Sequence, residues 1–218
     1  MIGCRFFNDN RTTGLFNSGS TGQQVMWNIF EPGSYSGYSL YTYGSVFAHN
    51  LILPTSSYTY NTGMVLPIQT GRMFRNTFYG TEQRGAGFYI PNSYESNYIA
   101  NNYFEGIHNP INDVGTSQHL NAFEVLAGNR AFNCATSDMP PEDYAVLIYQ
   151  NNNFEMTESG LVDPANGDYR PNKNLINAGW SDAKLNTEIT SLSAEIGVNP
   201  TIGAYDATTI SQRVRDLY

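Results

Sequence analysis

Polar and apolar positions alternate along this chain in a short phrase that returns seven times, ending on Phe6, Phe30, Ile52, Phe78, Phe104, Phe132 and Phe154. The anchors stand roughly 22 to 28 residues apart. Within a phrase the period is two: Asn102 and Phe104 fall on one side and Tyr103 and Glu105 on the other, which predicts a β-strand. No amphipathic helix lies between successive phrases, so a βαβ sheet is excluded. The pattern predicts stacked turns built from β-strands alone, each burying its apolar face only against the next turn. A turn of roughly 24 residues holds three short strands and three bends. Second strands are expected at 40–43, 65–68, 87–90, 122–125 and 145–148.

The position two before each anchor reads Cys4, Asn28, Asn50, Asn76, Asn102, Arg130 and Asn152. Asparagine tolerates the left-handed backbone of a sharp bend, and amides stacked ~4.8 Å apart bond the rung above and below. A ladder of asparagines is therefore expected. Arg130 makes a poor buried rung, and a one-residue bulge there is expected to let Asn129 take its place.

The composition narrows the partners. The chain has 218 residues and a formal charge of -8. Its only lysines are Lys173 and Lys184. That balance argues against a nucleic-acid surface and against an anionic membrane, and favours neutral or protein partners. Charged residues are 14% while tyrosines number 16, a bias that suits β structure with polar turns. Cys4 and Cys134 lie several stacked turns apart, so no disulfide is expected between them. The longest apolar run, 144–149, is far too short to span a bilayer, and the first residues show no basic region followed by an apolar stretch.

Two closing phrases carry a resemblance. DYRPNKNLINAG over 168–179 and NPTIGAYD over 199–206 are similar to the closing turn of many bacterial and viral right-handed β-helices. Together with the repeat, they make nearly the whole chain resemble the parallel β-helix superfamily of pectate-lyase-like proteins. The resemblance implies an all-β fold, a right-handed single-stranded parallel β-helix of about seven turns. Its expected divisions are helix turns over 1–160, a closing turn over 161–206 and a tail over 207–218 that is itself helical in pattern. Within the closing turn a capping helix is expected over 181–196. Leu185, Ile189, Leu192 and Ile196 share one face there, Ser181 is an N-cap, and Gly197 with Pro200 stops it. Repeat phrasing already starts at Cys4, so the first turn is expected to belong to a longer protein or to be covered by another chain or copy.

The superfamily holds lyases, glycosidases, tailspikes and inert coils, so function must come from the residues themselves. Glu105 and Glu155 flank their anchors two turns apart, roughly 9.6 Å at the strand spacing, near the upper limit for an inverting glycosidase pair. A solvated column of spaced glutamates fits the same pattern. The excursion 106–120 carries His108, Asn109, Asn112, Asp113 and His119, whose spacing matches no metal motif and reads as turn and surface residues. No metal and no cofactor are expected. Tyr35, Tyr38, Tyr41, Tyr43, Tyr58 and Tyr60 concentrate in two successive turns and could stack on sugar faces as a ligand-binding platform. The catalytic phrases of polygalacturonase-type and pectate-lyase members are absent. The expected function is a non-catalytic or receptor-binding β-helix module of an extracellular or virion structure, of the phage tail or fibre kind, contacting a polysaccharide or cell-surface glycan. The alternative is a polysaccharide lyase or glycoside hydrolase acting along the face that bears Glu105 and Glu155.

Overall fold

The alternating phrases do form strands, and the strands pair in parallel. A computed structural model describes residues 4–8, 16–18, 24–32, 40–43, 46–54, 63–68, 71–91, 97–114, 123–135, 154–180 and 201–204. Its first sheet has seven strands: β1 (Arg5–Asn8), β4 (Ile29–Pro32), β7 (Leu51–Ile52), β10 (Thr77–Tyr79), β13 (Tyr103–Glu105), β16 (Arg130–Phe132) and β17 (Phe154–Glu155). The second has five: β2 (Phe16–Ser18), β5 (Leu40–Tyr43), β8 (Gly63–Ile68), β11 (Ala86–Pro91) and β14 (Asn109–Val114). The third also has five: β3 (Gln24–Met26), β6 (Val46–Ala48), β9 (Arg72–Phe74), β12 (Asn97–Ala100) and β15 (Phe123–Ala127). From β1 to β16 the chain visits the first, second and third sheets in strict rotation. The protein is thus all-β with long parallel sheets. Among the described residues there is no α-helix, and none is long and apolar enough to cross a membrane.

Parallel strands need a connection that returns the chain to the same end, and here the other two sheets supply it in place of a helix. Residues 87–90 fall inside β11, and 40–43 and 65–68 lie in β5 and β8, as the alternation predicts. The segment 106–120 differs. Asn109, Asn112 and Asp113 lie in β14, which pairs with β11, so part of the expected excursion is the second strand of its turn. The stretch 122–125 then falls mainly in β15 of the third sheet. The segment at 145–148 lies outside the described residues.

One face of each sheet contributes to a shared core. Phe30, Ile52, Phe78 and Phe104 line up in the first sheet, with Val25, Phe47, Met73, Ile99 and Leu126 from the third and Phe88 and Ile111 from the second. Aromatic rings stack in register along it. Phe6 lies on Phe30 at 4.9 Å and Phe78 on Phe104 at 5.0 Å, while Phe88 meets Phe104 edge-on at 5.8 Å. Such offset and edge contacts exploit the ring quadrupoles in addition to the apolar area removed from water.

The asparagine ladder runs unbroken through Asn28, Asn50, Asn76, Asn102 and Asn129. From Asn50 onward each Oδ1 accepts both the backbone N–H and the Nδ2 of the preceding rung: Asn76 N and Nδ2 lie 2.9 and 3.0 Å from Asn102 Oδ1, and Asn102 N and Nδ2 both lie 3.0 Å from Asn129 Oδ1. The second Nδ2 hydrogen goes to a carbonyl one turn back from Asn50 onward, as from Asn76 to Phe47 at 2.9 Å, and at Asn28 to Met26 in the same turn. Buried amides are thereby satisfied. Asn129 takes the rung as expected, but without a bulge at Arg130. Arg130 pairs with Tyr103, Ala131 with Phe104 and Phe132 with Glu105. Ala131, not Phe132, therefore continues the core column, and the longer interval before Phe132 combines this one-residue change of anchor with an extra residue in β15, where Asn97 pairs with Phe123 but Tyr98 with Val125.

The left-handed backbone sits one residue earlier than expected. Trp27, His49, Arg75, Asn101 and Gly128, each just before a rung, have φ of 60°, 56°, 50°, 56° and 66°. The rung asparagine closes the bend through its side chain, and its predecessor takes the strained dihedral.

The closing segment also departs from expectation. Residues 154–180 include an antiparallel hairpin of β18 (Leu161–Asp163) and β19 (Asp168–Pro171), joined through a 3-10 turn at Pro164–Asn166. This segment and residues 201–204 pack along the outer face of the first sheet. Leu161, Leu175 and Ile202 cluster with Tyr103, and Ala204 reaches Ile29 and Leu51. The cover thus runs back along several turns. The helix expected over 181–196 and the tail 207–218 lie outside the described residues.

Candidate functional site

Strand β13 presents Tyr103 and Glu105 on the outer face of the first sheet, two residues apart and hence on the same side. There the covering segment meets them. Glu105 is only 7% exposed, and its Oε2 accepts hydrogen bonds from the Tyr103 hydroxyl at 2.6 Å and from Ser159 Oγ at 2.8 Å. The Tyr103 oxygen in turn accepts the Gly160 N–H at 2.6 Å. Burial, then the charge of Glu105, holds the Tyr103 phenol far above its ordinary pKa, so it remains a donor. Burial first, and then Glu105 and Asp163, also push up Tyr79. The arrangement pins the covering segment to the sheet through charge-assisted bonds.

The register separates the two carboxylates singled out in the sequence. Glu105 stands in line with Tyr79 and Phe132, whereas Glu155 pairs with Ala131 in the line that contains Phe104. Glu155 is exposed. Adjacent lines of one strand face opposite sides of a sheet, so the chain does not bring the two together in one column. The source of that expectation is the anchor at Phe154: it pairs with Arg130, so Glu155 rather than Phe154 falls in the anchor line. The flanking residues Glu31, Leu53 and Tyr79 are half-buried rather than fully solvated.

Of the six tyrosines, Tyr41 and Tyr43 lie in β5 of the second sheet. Phe16, Leu40, Val65, Phe88 and Ile111 share one register line of that sheet, which contains the core residues Phe88 and Ile111. The next residue of each strand is Asn17, Tyr41, Leu66, Tyr89 or Asn112, so a third tyrosine, Tyr89, falls in the line of Tyr41. Tyr35, Tyr38, Tyr58 and Tyr60 lie outside the described residues.

Neither Cys4 nor Cys134 is in a disulfide. Burial pushes the Cys134 thiol up to about 12, which leaves it inert as a nucleophile at neutral pH. His108 is described and His119 is not. Among the described residues no three His, Cys, Asp or Glu side chains gather as metal ligands.

One cluster was not read from the sequence. The residues preceding the ladder form a column, and in it the Trp27 and His49 rings stack at 4.0 Å with 14° between their planes. His49 Nδ1 donates to the Ala204 carbonyl at 3.3 Å, Ala204 N donates to Thr77 Oγ1 at 2.8 Å, and Gly203 N donates to Asn101 O at 2.9 Å. Asn101 also exchanges two bonds with the Trp180 backbone, each 2.8 Å. The available signal was the residue before each asparagine, a position whose identities (Trp, His, Arg, Asn, Gly) share no hydropathy. No protein-family model, no curated protein and no solved structure matches this chain.

Proposed function

We propose that this chain is a non-catalytic, glycan-contacting module of an extracellular or virion structure of the phage tail or fibre kind, built as a right-handed single-stranded parallel β-helix. The rotation of the chain among three parallel sheets supports the β-helix reading, and the general hand of parallel crossovers supplies its handedness. The amphipathic pattern at 181–196 supports a helix over the closing turn.

The observation that carries the functional reading is the state of Glu105. A catalytic acid or base must meet substrate and exchange protons with it, and this carboxylate is buried under the covering segment with Oε2 engaged by two hydroxyls. The second sheet, by contrast, carries Tyr41 and Tyr43 on β5 and Tyr89 on β11, with Tyr41 and Tyr89 in one register line beside the core line. Rigid aromatic residues suit sugar stacking because little conformational entropy is lost on binding. The near absence of lysine and the net charge of -8 favour a neutral glycan over a polyanion.

Incubation with a panel of neutral and acidic polysaccharides tests the reading. Binding without release of reducing ends or unsaturated products is expected, and Tyr41→Ala with Tyr43→Ala together should weaken it about tenfold or more. Turnover that Glu105→Gln abolishes would replace this reading with the hydrolase or lyase alternative.

A further inference from the structure

The cluster at His49 lies outside the proposed glycan surface and joins two parts of the molecule that are far apart in sequence. On one side are the bends before Asn28, Asn50 and Asn76, which contribute Trp27, His49 and Arg75. On the other are residues 201–204, which cross the outer face of the first sheet. His49 is 2% exposed and Arg75 is 3% exposed. Ala204 is fully buried against Ile29 and Leu51.

The geometry points to an acid-released latch, in which protonation of His49 frees residues 201–204 from the outer face of the first sheet. A carbonyl only accepts, so the contact with Ala204 requires a proton on Nδ1, which leaves Nε2 as the nitrogen that a second proton would take. A second proton would place a full charge in a buried site beside the Arg75 guanidinium. Attraction of an imidazolium to the Trp27 face offsets only part of that cost. Consistent with this, burial first and Arg75 second hold His49 well below the ordinary imidazole value, against the opposing effect of its bond to Ala204.

Release relieves both terms, because a detached strap lets water reach the ring. Arg75 is the charged group acting on His49 from the neighbouring bend. Tyr169, packed against Ile29, Leu51 and Ala204, is the nearby titratable side chain of the covering segment. The strap residues Thr201, Ile202, Gly203 and Ala204 carry no ionisable side chain, and Asp206 lies outside the described residues. Because the open state binds the proton and the latched state does not, latching is complete above the ordinary imidazole value of about 6.5 and weakens as the pH falls below it. One proton gives at most a tenfold change in the opening equilibrium per pH unit, and about 15-fold between pH 6.5 and pH 5.

The chain's two tryptophans report on this directly, since Trp27 stacks on His49 and Trp180 is held at Asn101. Acrylamide quenching of their fluorescence, titrated from about pH 7.5 to about pH 5, should rise along a one-proton curve with the far-UV circular dichroism unchanged. His49→Asn keeps a residue that tolerates the left-handed backbone and removes the titration, so its quenching should stay flat. Arg75→Gln should shrink the rise. A flat curve in the natural protein, an equal rise in His49→Asn, or a rise accompanied by loss of the far-UV signal would each overturn the latch.

Discussion

The side chain of a central asparagine in the ladder holds four hydrogen bonds at once, and that of a central phenylalanine holds none, yet the phenylalanine is expected to matter more. Phe104 is fully buried between Phe78 and Ala131 and edge-on to Phe88, so Phe104→Ala leaves a cavity that sheet backbones on three sides cannot close. Its cost should be about 3 to 5 kcal/mol. Asn102→Ala deprives Asn76 N and Nδ2 of their acceptor and should cost about 1 to 3 kcal/mol. Chemical denaturation of the two variants checks the order, and the reverse order would mean that the ladder, not the ring stack, dominates. Backbone geometry matters as well. Gly106 has φ of 63°, and a Cβ there would collide with the Gly80 carbonyl, so only glycine serves at that bend.

At the scale of elements, the hairpin β18–β19 and its flanks are held to β13 by the Tyr103, Glu105 and Ser159 network. Tyr103→Phe removes the donor to Glu105 and the acceptor for Gly160 N–H. Local stability should fall by about 1 to 3 kcal/mol, seen as faster amide hydrogen exchange at Gly160 and Leu161 with the ladder bends unaffected. Within the hairpin, Arg170 bonds Asp168 through both guanidinium and backbone N–H. Those contacts hold the Asp168 carboxyl below its ordinary range, the side-chain bond first. A depressed acid contributes stability above the usual carboxylate value of about 4 and loses it as the pH falls through the lowered one. Arg170→Ala should therefore flatten the acid limb of a hairpin melting profile below about pH 4, measured by exchange across 161–171.

For the whole molecule, stacked turns and covering segment should be separable. Each turn contacts mainly its neighbours, whereas the cover docks side-on across several of them. Leu175 is fully buried against Tyr103, Leu161 and Ile202. Leu175→Ala should cost about 2 to 5 kcal/mol, concentrated in the cover. Limited proteolysis should then cut within 154–180 while the parallel sheets persist by circular dichroism. Simultaneous loss of both would show that cover and stack fold as one unit.

Much of this molecule is legible in the chain itself. The repeated phrase marks the strands of the first sheet, the column of asparagines marks the ladder, and even the awkward Arg130 points to Asn129 as the rung. These features are local: period-two alternation assigns a face to each residue, and stacking at a fixed spacing repeats the assignment turn after turn. One error of register at Phe154 was enough to put Glu105 and Glu155 in the same column, since a slip of one residue moves a side chain to the opposite face. What lies on the outside is decided only in three dimensions. That Glu105 is buried, that Leu53 and Tyr79 are half-buried, and that His49 meets Ala204 all depend on a segment up to 155 residues away along the chain. Nothing periodic marks such a contact. Its partners are chosen by complementary shape and hydrogen bonding after the turns have stacked, when a face that alternation alone leaves open to water is covered by the chain's own end.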